Sequence, residues 1–187
     1  MTRIVGLAGS LRKGSFNASL LRAAASLMPV DSTLTLGTIR GIPLYDGDVE
    51  AAQGIPAAVN ALKDAIAAAD GLLLVTPEYN NSIPGVFKNV VDWLSRPSAD
   101  IERVFGNLPV ALIGASPGGF GTILAQAAWL PILRTLGTQL WSPGRMLVSR
   151  AGQVFAADGT LADDKVRDQL RGVLSGFVEF VRSSPRR

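Results

Sequence analysis

A chain of 187 residues has room for one domain with a substantial core, burying roughly 70% of its unfolded surface, and a second independent domain would be cramped. It contains neither Cys nor His, which excludes disulfides, thiol nucleophiles, imidazole bases and the usual zinc ligands, so redox chemistry would have to come from a bound cofactor. The formal charge is only +3 and the basic residues are scattered apart from Arg186 and Arg187, which argues against a nucleic-acid surface and for attraction of phosphate-bearing small molecules.

Met1-Thr2-Arg3-Ile4 passes straight into a strand-like run, and no apolar stretch approaches 20 residues, so the expectation is a cytoplasmic protein without a membrane attachment. Ile4-Val5-Gly6-Leu7-Ala8 reads as a buried strand. It ends in Gly9-Ser10-Leu11-Arg12-Lys13-Gly14-Ser15-Phe16-Asn17, and an Ala- and Leu-rich helix follows over residues 18–27. A strand, a loop of small polar and basic residues and a helix N-terminus in succession form a recipe for binding phosphate: backbone N–H groups face the anion, hydroxyls donate and a guanidinium neutralises charge. Two better-known phosphate loops fail here. Gly9 and Gly14 have the Walker A spacing, but Ser15 stands where Lys belongs, and Gly6, Gly9 and Gly14 are out of register for G-x-G-x-x-G. Taken singly, Ser15 or Asn17 reads as a helix cap and Arg12 as a solvated cation. Taken together they favour a phosphate site, because one helix needs only one cap. Lys13 reads as a surface charge.

Residues 33–38 form an alternating strand, followed by a long turn over 41–48. Asp46, Asp48 and Glu50 offer three carboxylates, but on a Gly-rich loop these are more often solvated or capping than metal ligands, and no metal is expected. A helix over 55–68 presents Ile55, Val59, Leu62 and Ile66 on one face. Leu72-Leu73-Leu74-Val75 is a short continuous apolar run, the mark of a strand buried on both faces of a parallel sheet. The turn Pro77-Glu78-Tyr79-Asn80 therefore falls at the carboxyl end of a central strand, where open α/β sheets bind ligands. Pro84 then opens a helix whose Val86, Phe87, Val90, Val91 and Leu94 repeat at helical spacing.

A polar connection over 98–107 leads to a buried strand over 109–115 and the loop Ser116-Pro117-Gly118-Gly119-Phe120-Gly121-Thr122, whose glycines permit close backbone approach and positive φ. The next helix runs to Leu136, with Pro131 expected to kink or restart it. A short fifth strand over 139–141, extended by Met146-Leu147-Val148, precedes a closing helix marked by Leu161, Val166, Leu170, Val173, Phe177 and Val181. Trp93 and Trp129 lie on helices adjoining one crevice and are expected at a subunit contact, with core packing as the alternative. Five strands alternating with five helices predict an α/β fold, a doubly wound three-layer domain with its ligand loops on one sheet edge.

The residues Pro77, Glu78, Tyr79 and Asn80, followed by Pro84, Gly85, Lys88, Asn89, Asp92, Trp93, Ser95 and Arg96, form a long pattern that resembles the NADPH-dependent FMN reductase family, including its quinone and chromate reductase branch. The resemblance implies a flavodoxin-like five-stranded parallel sheet in an α/β/α sandwich, one FMN-binding domain over 1–183, and a disordered basic tail at 184–187. It implies FMN as cofactor, with Ser10, Arg12, Ser15 and Asn17 on the phosphate and Ser116, Gly118 and Gly119 under the ring and ribityl chain. Pro77, Glu78, Tyr79 and Asn80 would also bind the cofactor, Tyr79 lying against the ring face and backbone amides around Glu78 and Asn80 reaching its polar edge, unless 77–80 is an ordinary turn. Thr122 stands where the family often has glycine. NADPH or NADH would reduce the flavin, and quinones, free flavin, azo compounds or chromate would reoxidise it by a ping-pong route. Arg96 is implied as a ligand for the donor's phosphates or else as a structural ion-pair residue. Pro43-Leu44-Tyr45-Asp46 also resembles the family, which would place Tyr45 near subunit contacts or in plain packing, in a homodimer or homotetramer. The rival readings are a flavodoxin-type electron carrier, against which the basic charge speaks, and a colourless nucleotide-binding module.

Overall fold

The structure, a computed structural model, describes residues 1–184; the rest of the expected basic tail, residues 185–187, lies outside the described residues. Six strands form one sheet: β1 (Thr2–Ala8), β2 (Ser32–Gly37), β3 (Gly71–Val75), β4 (Pro109–Ala115), β5 (Gln139–Leu140) and β6 (Met146–Val148). Every pairing is parallel, in the order β2-β1-β3-β4-β5 with β6 also on β4. This is the flavodoxin-like order, whose switch point lies between β1 and β3. The expected fifth strand is split. β5 pairs with Pro109 and Val110 at the start of β4, β6 with Ile113 to Ala115 at its end, and Ser142-Pro143-Gly144 bulges out between them.

All residues of β3 and β4 are buried, because helices cover both faces of the sheet. Alternate residues of each strand feed two separate cores. Val5, Leu7, Leu72, Leu74, Val110 and Leu112 pack with α3 (Ala57–Ala67), α4 (Gly85–Leu94), α5 (Ile101–Phe105) and α6 (Ile123–Thr135). Ile4, Leu73, Val75, Ala111 and Ile113 pack on the other side with α1 (Phe16–Ser26) and α8 (Asp164–Ser183). Two further short helices, α2 (Gly47–Gln53) and α7 (Ala151–Val154), and a 3-10 turn over Ser98–Asp100 complete the described chain. No helix among the described residues is long and apolar enough to cross a membrane.

Several sequence expectations need correction. Trp93 and Trp129 are each 0% exposed within this single chain, so neither indole is available to a subunit contact. Buried indoles need an acceptor for their N–H. Trp93 donates to the Pro43 carbonyl at 2.9 Å and Trp129 to Thr76 Oγ1 at 3.1 Å, so each ties a connecting segment to the core. The turn over 41–48 ends in α2, which Asp46 caps by accepting from the Asp48 N–H at 2.8 Å. Glu50 accepts from the Tyr45 hydroxyl at 3.0 Å, and that hydrogen bond raises the Tyr45 pKa above its ordinary value. The connection over 98–107 contains α5, whose Val104 and Phe105 are buried. Helix α6 continues through Pro131 instead of restarting there. Leu161 precedes the closing helix, which starts at Asp164 behind an Asp163 cap.

On the same side of the sheet Lys63 is buried to 1% exposure. Its Nζ donates to the Arg96 carbonyl and pairs with Asp100 Oδ2, each at 2.5 Å, in a cluster that Arg103 and Asp64 extend to the surface.

Candidate functional site

At the carboxyl edges of β1, β3 and β4 the three loops singled out by sequence meet. Ser10, Arg12, Ser15, Asn17, Pro77, Glu78, Tyr79 and Ser116 line one depression of about 80 Å³, together with Phe16, Ala115 and Pro117. The enclosed part is far smaller than the ~300–1,000 Å³ typical of small-molecule pockets. It can hold an anionic end group, while anything attached to that group must lie along the open rim.

The floor of the depression follows from the β1–α1 connection. Ser15 is the N-cap of α1, accepting from the Ala18 N–H at 3.2 Å, which leaves the N–H groups of Phe16 and Asn17 at the helix start without intrahelical acceptors. Arg12 bends across the loop to donate through Nη2 to the Gly14 carbonyl at 3.0 Å, and its backbone N–H meets Ser10 Oγ at 3.3 Å. One guanidinium N–H is thereby used to hold the side chain and the others remain. Gly9 is required by contact: a Cβ there would lie 2.1 Å from the Phe87 ring, so only glycine lets α4 approach the loop this closely.

Asn17 belongs to the site in a way its sequence position does not reveal. Its Nδ2 donates to the Ala115 carbonyl and its Oδ1 accepts from the Ala115 N–H, both at 2.8 Å and buried. The side chain thus imitates a strand neighbour and locks the β1–α1 loop to the end of β4.

The Pro77 to Asn80 stretch is not an isolated turn. Tyr79 and Ser82 exchange both backbone hydrogen bonds, and Asn80 and Asn81 between them have φ of 49° and 63°. That is a two-residue hairpin of the primed type, in which Asn tolerates the left-handed region. Asn80 therefore sits at the hairpin tip and does not line the depression. Tyr79 is 43% exposed, with its hydroxyl 3.4 Å from Ser10 Oγ.

Glu78 lines the depression, but its carboxylate is held by α6. Its Oε2 accepts from the backbone N–H of Leu124 at 2.8 Å and of Ala125 at 2.9 Å, capping α6 from a different loop. The carboxylate is therefore engaged by the helix, and the donors facing the depression are hydroxyl, amide and guanidinium. That set suits a phosphate monoester. Replacing Glu78 by Ala should cost about 1–2 kcal/mol, the usual loss for a helix cap, and Glu78→Gln much less; thermal unfolding of both variants measures this.

In the third loop the Ser116 and Gly118 carbonyls accept from the N–H groups of Ala151 and Arg150, at 3.0 and 2.9 Å, so the segment after β6 braces it from behind. Gly118 and Gly119 lie outside the depression; a Cβ on Gly118 would make an ordinary contact with Ser116 Oγ at 3.8 Å, and one on Gly119 would meet open space. The left-handed backbone falls instead on Gly121, with φ of 64°, where a Cβ would also come within 2.9 Å of Leu147. Thr122 is fully buried behind the loop and accepts from Gln126 Nε2 at 3.1 Å, so its departure from glycine does not obstruct the cleft.

Arg96 is not brought to this cleft within the same chain. It follows the far end of α4, about 15 Å of helix away from the hairpin. Its guanidinium lies 5.4 Å from the Tyr45 ring centroid. The motif residue Asn89 donates to the Pro43 carbonyl and accepts from the Tyr45 N–H, both at 2.8 Å, so Asn89 and Trp93 at helical spacing pin the 43–45 loop onto α4. Residues that sequence reading missed are Phe16, Ala115 and Pro117; only their adjacency to loop ends signalled them.

The sequence model of the NADPH-dependent FMN reductase family matches residues 2–153. The chain is 42% identical over 180 residues to an NAD(P)H-dependent FMN reductase of Pseudomonas aeruginosa, covering 96% of this chain and 95% of that one. It is 38% identical over 180 residues to a 2-hydroxy-1,4-benzoquinone reductase of a Burkholderia species, covering 96% of each. Among solved structures it superposes on the flavoenzyme NAD(P)H:(acceptor) oxidoreductase FerB of Paracoccus denitrificans with a TM-score of 0.87 at 34% identity, over 99% of this chain and 100% of that one.

Proposed function

The chain belongs to the NADPH-dependent FMN reductase family, and from that footing we propose that it is an NAD(P)H-dependent, FMN-containing reductase acting on quinones or free flavin. One observation carries the reading: a depression lined by Ser10, Arg12, Ser15 and Asn17 opens beside an exposed Tyr79 on a rigid hairpin. The donor set fits the phosphate of FMN, and the small enclosed volume fits a cofactor held by its tail with the ring along the rim. FMN, when bound, supplies two-electron hydride chemistry that a chain without Cys or His cannot perform alone.

The chain's own residues bind and orient. Arg12, the two hydroxyls and the free N–H groups of α1 hold the phosphate, while Asn17 fixes their distance to the β4–α6 loop. Trp129, through Thr76, and Glu78, through α6, hold the hairpin so that Tyr79 is presented at one height. Ser116, Gly118 and Gly119 offer backbone to the ring and ribityl chain without side-chain obstruction. A single open face means that donor and acceptor visit in turn, and such a face admits flat acceptors beyond quinones, azo compounds and chromate among them. The chain acts as a homodimer or homotetramer, a reading supported by the exposed apolar face of Phe120, Ile123, Leu124 and Leu130.

The test is a visible spectrum followed by initial rates. The purified protein should carry flavin bands or take up added FMN, consume NADPH with a quinone and no partner protein, and give parallel double-reciprocal lines. A colourless protein that ignores FMN overturns the proposal. A flavoprotein that needs a partner protein for NADPH oxidation would make it an electron carrier.

A further inference from the structure

Among the described residues, Glu78 is the one carboxylate lining the depression, and no ion pair compensates it. A carboxylate beside a site for a phosphate-bearing cofactor opposes binding, since like charges repel. Its hydrogen-bond partners are the N–H groups of Leu124 and Ala125, at 2.8 and 2.9 Å. Those groups belong to the first turn of α6, whose own N-cap residue Thr122 makes no side-chain cap. Two helices therefore meet the cleft with opposite fittings. The start of α1 lies in the depression wall at Ser15, Phe16 and Asn17 and keeps its positive end for an anion. The positive end of α6 is taken up by Glu78 and adds little to an anion in the cleft. A neutral glutamine would satisfy the same two donors through its side-chain oxygen, so capping alone does not require a charge.

We infer that the Glu78 carboxylate keeps the midpoint potential of the bound flavin low and thereby widens the range of acceptors the enzyme can reduce. The inference rests on the proposed reductase activity. Uptake of a hydride turns a neutral flavin ring into an anion, so a fixed negative charge at the rim disfavours the reduced form and makes it a stronger donor. Glu78 is fixed in this sense. It stands between Pro77 and Tyr79, which also line the depression, on a hairpin closed by both Tyr79–Ser82 backbone bonds, and its side chain is tied to α6. It cannot swing away as charge develops, which is the condition for a preorganised electrostatic effect. Arg12, the one cation in the lining, lies on the β1–α1 loop and is matched by the cofactor's own phosphate. Glu78 thus sets the potential through space, in addition to holding two loops together.

The experiment uses the FMN-loaded full chain with two variants. Glu78→Gln keeps the cap and removes the charge; Glu78→Asp keeps the charge but, one methylene shorter, loses the reach to α6. Midpoint potentials are read by equilibration with redox dyes of known potential and set beside thermal unfolding. Glu78→Gln should raise the potential by about 15–30 mV, a roughly three- to tenfold shift toward the reduced form in a two-electron couple, with nearly parental unfolding. Glu78→Asp should unfold at a lower temperature yet hold the equilibrium within about twofold of the parent, about 10 mV. In rates, Glu78→Gln should lose more activity toward a low-potential quinone than toward a high-potential one. A potential that is unchanged or lower in Glu78→Gln, or that rises equally in Glu78→Asp, would assign the residue to capping alone and overturn the inference. A parent that binds no FMN overturns the reductase reading and this inference with it, whereas an FMN-loaded parent whose Gln variant shows no shift overturns the inference alone.

Discussion

Replacing Asp100 by Ala should lower the thermal unfolding midpoint by about 6–12 °C, equivalent to about 3 kcal/mol for a chain of this length. The reason is Lys63, whose ammonium is buried to 1% exposure with Asp100 as its only carboxylate partner among the described residues. Removing that carboxylate leaves a buried charge with the Arg96 carbonyl as its remaining acceptor among the described residues. Broken buried pairs cost about 3–5 kcal/mol, and the low end applies because Asp100 is 29% exposed and water can partly replace it. The double variant Lys63→Met, Asp100→Ala removes the charge as well as its partner and should recover most of the loss. A double variant as unstable as Asp100→Ala alone would show that packing, not the uncompensated charge, is responsible.

The same pair sets a pH dependence. The hydrogen bond from Lys63 holds the Asp100 carboxyl below its ordinary value, burial opposes that, and Arg103 adds to the lowering. A depressed folded pKa means that the stabilisation is fully present above the unfolded value of about 3.9 and is lost as pH falls through the folded one. Melting curves below about pH 4 should therefore converge for the parent and Asp100→Ala, and remain apart at pH 6–7.

Arg12→Ala should weaken FMN binding by about 10- to 150-fold, the value of one or two charge-assisted hydrogen bonds. Arg12 is exposed, as are its hydrogen bonds to Ser10 and Gly14, so the fold should tolerate its loss. Riboflavin provides the control, since it has the same ring and no phosphate. Its affinity should not change, and the parent's preference for FMN over riboflavin should shrink by the same factor in the variant. Fluorescence titration at two salt concentrations measures both, and the FMN affinity of the variant should depend less on salt. An equal loss for riboflavin would mean that Arg12 merely shapes the loop through its bond to the Gly14 carbonyl.

Local sequence was a reliable guide wherever one short-range pattern governed the outcome. The apolar runs at 72–75 and 109–115 are buried on both faces as read, and the Ser15 cap opens α1 at the loop where phosphate chemistry was expected. Short helices escaped notice because four to seven residues hold too few turns for a periodic pattern, and α2 buries no residue at all. The tryptophans were misjudged because their spacing says that a helix face is apolar but not what covers it. Trp129 meets Thr76 and Phe87, Trp93 meets Pro43 and Tyr45, and all of these contacts come from distant parts of the chain.

Residue order alone was enough to specify a parallel three-layer sheet, the edge on which the three singled-out loops fall, and the family to which the chain belongs, because period, caps and a long motif are all local or contiguous signals. Only the folded chain decided what individual site residues do. Glu78 caps a helix 46 residues away, Asn17 clamps the end of a strand 98 residues away, and Arg96 closes over Tyr45 at the far end of α4. Such roles depend on which donors and acceptors crossover connections bring within 3 Å, a condition set by the packing of whole layers and carried by no stretch of sequence.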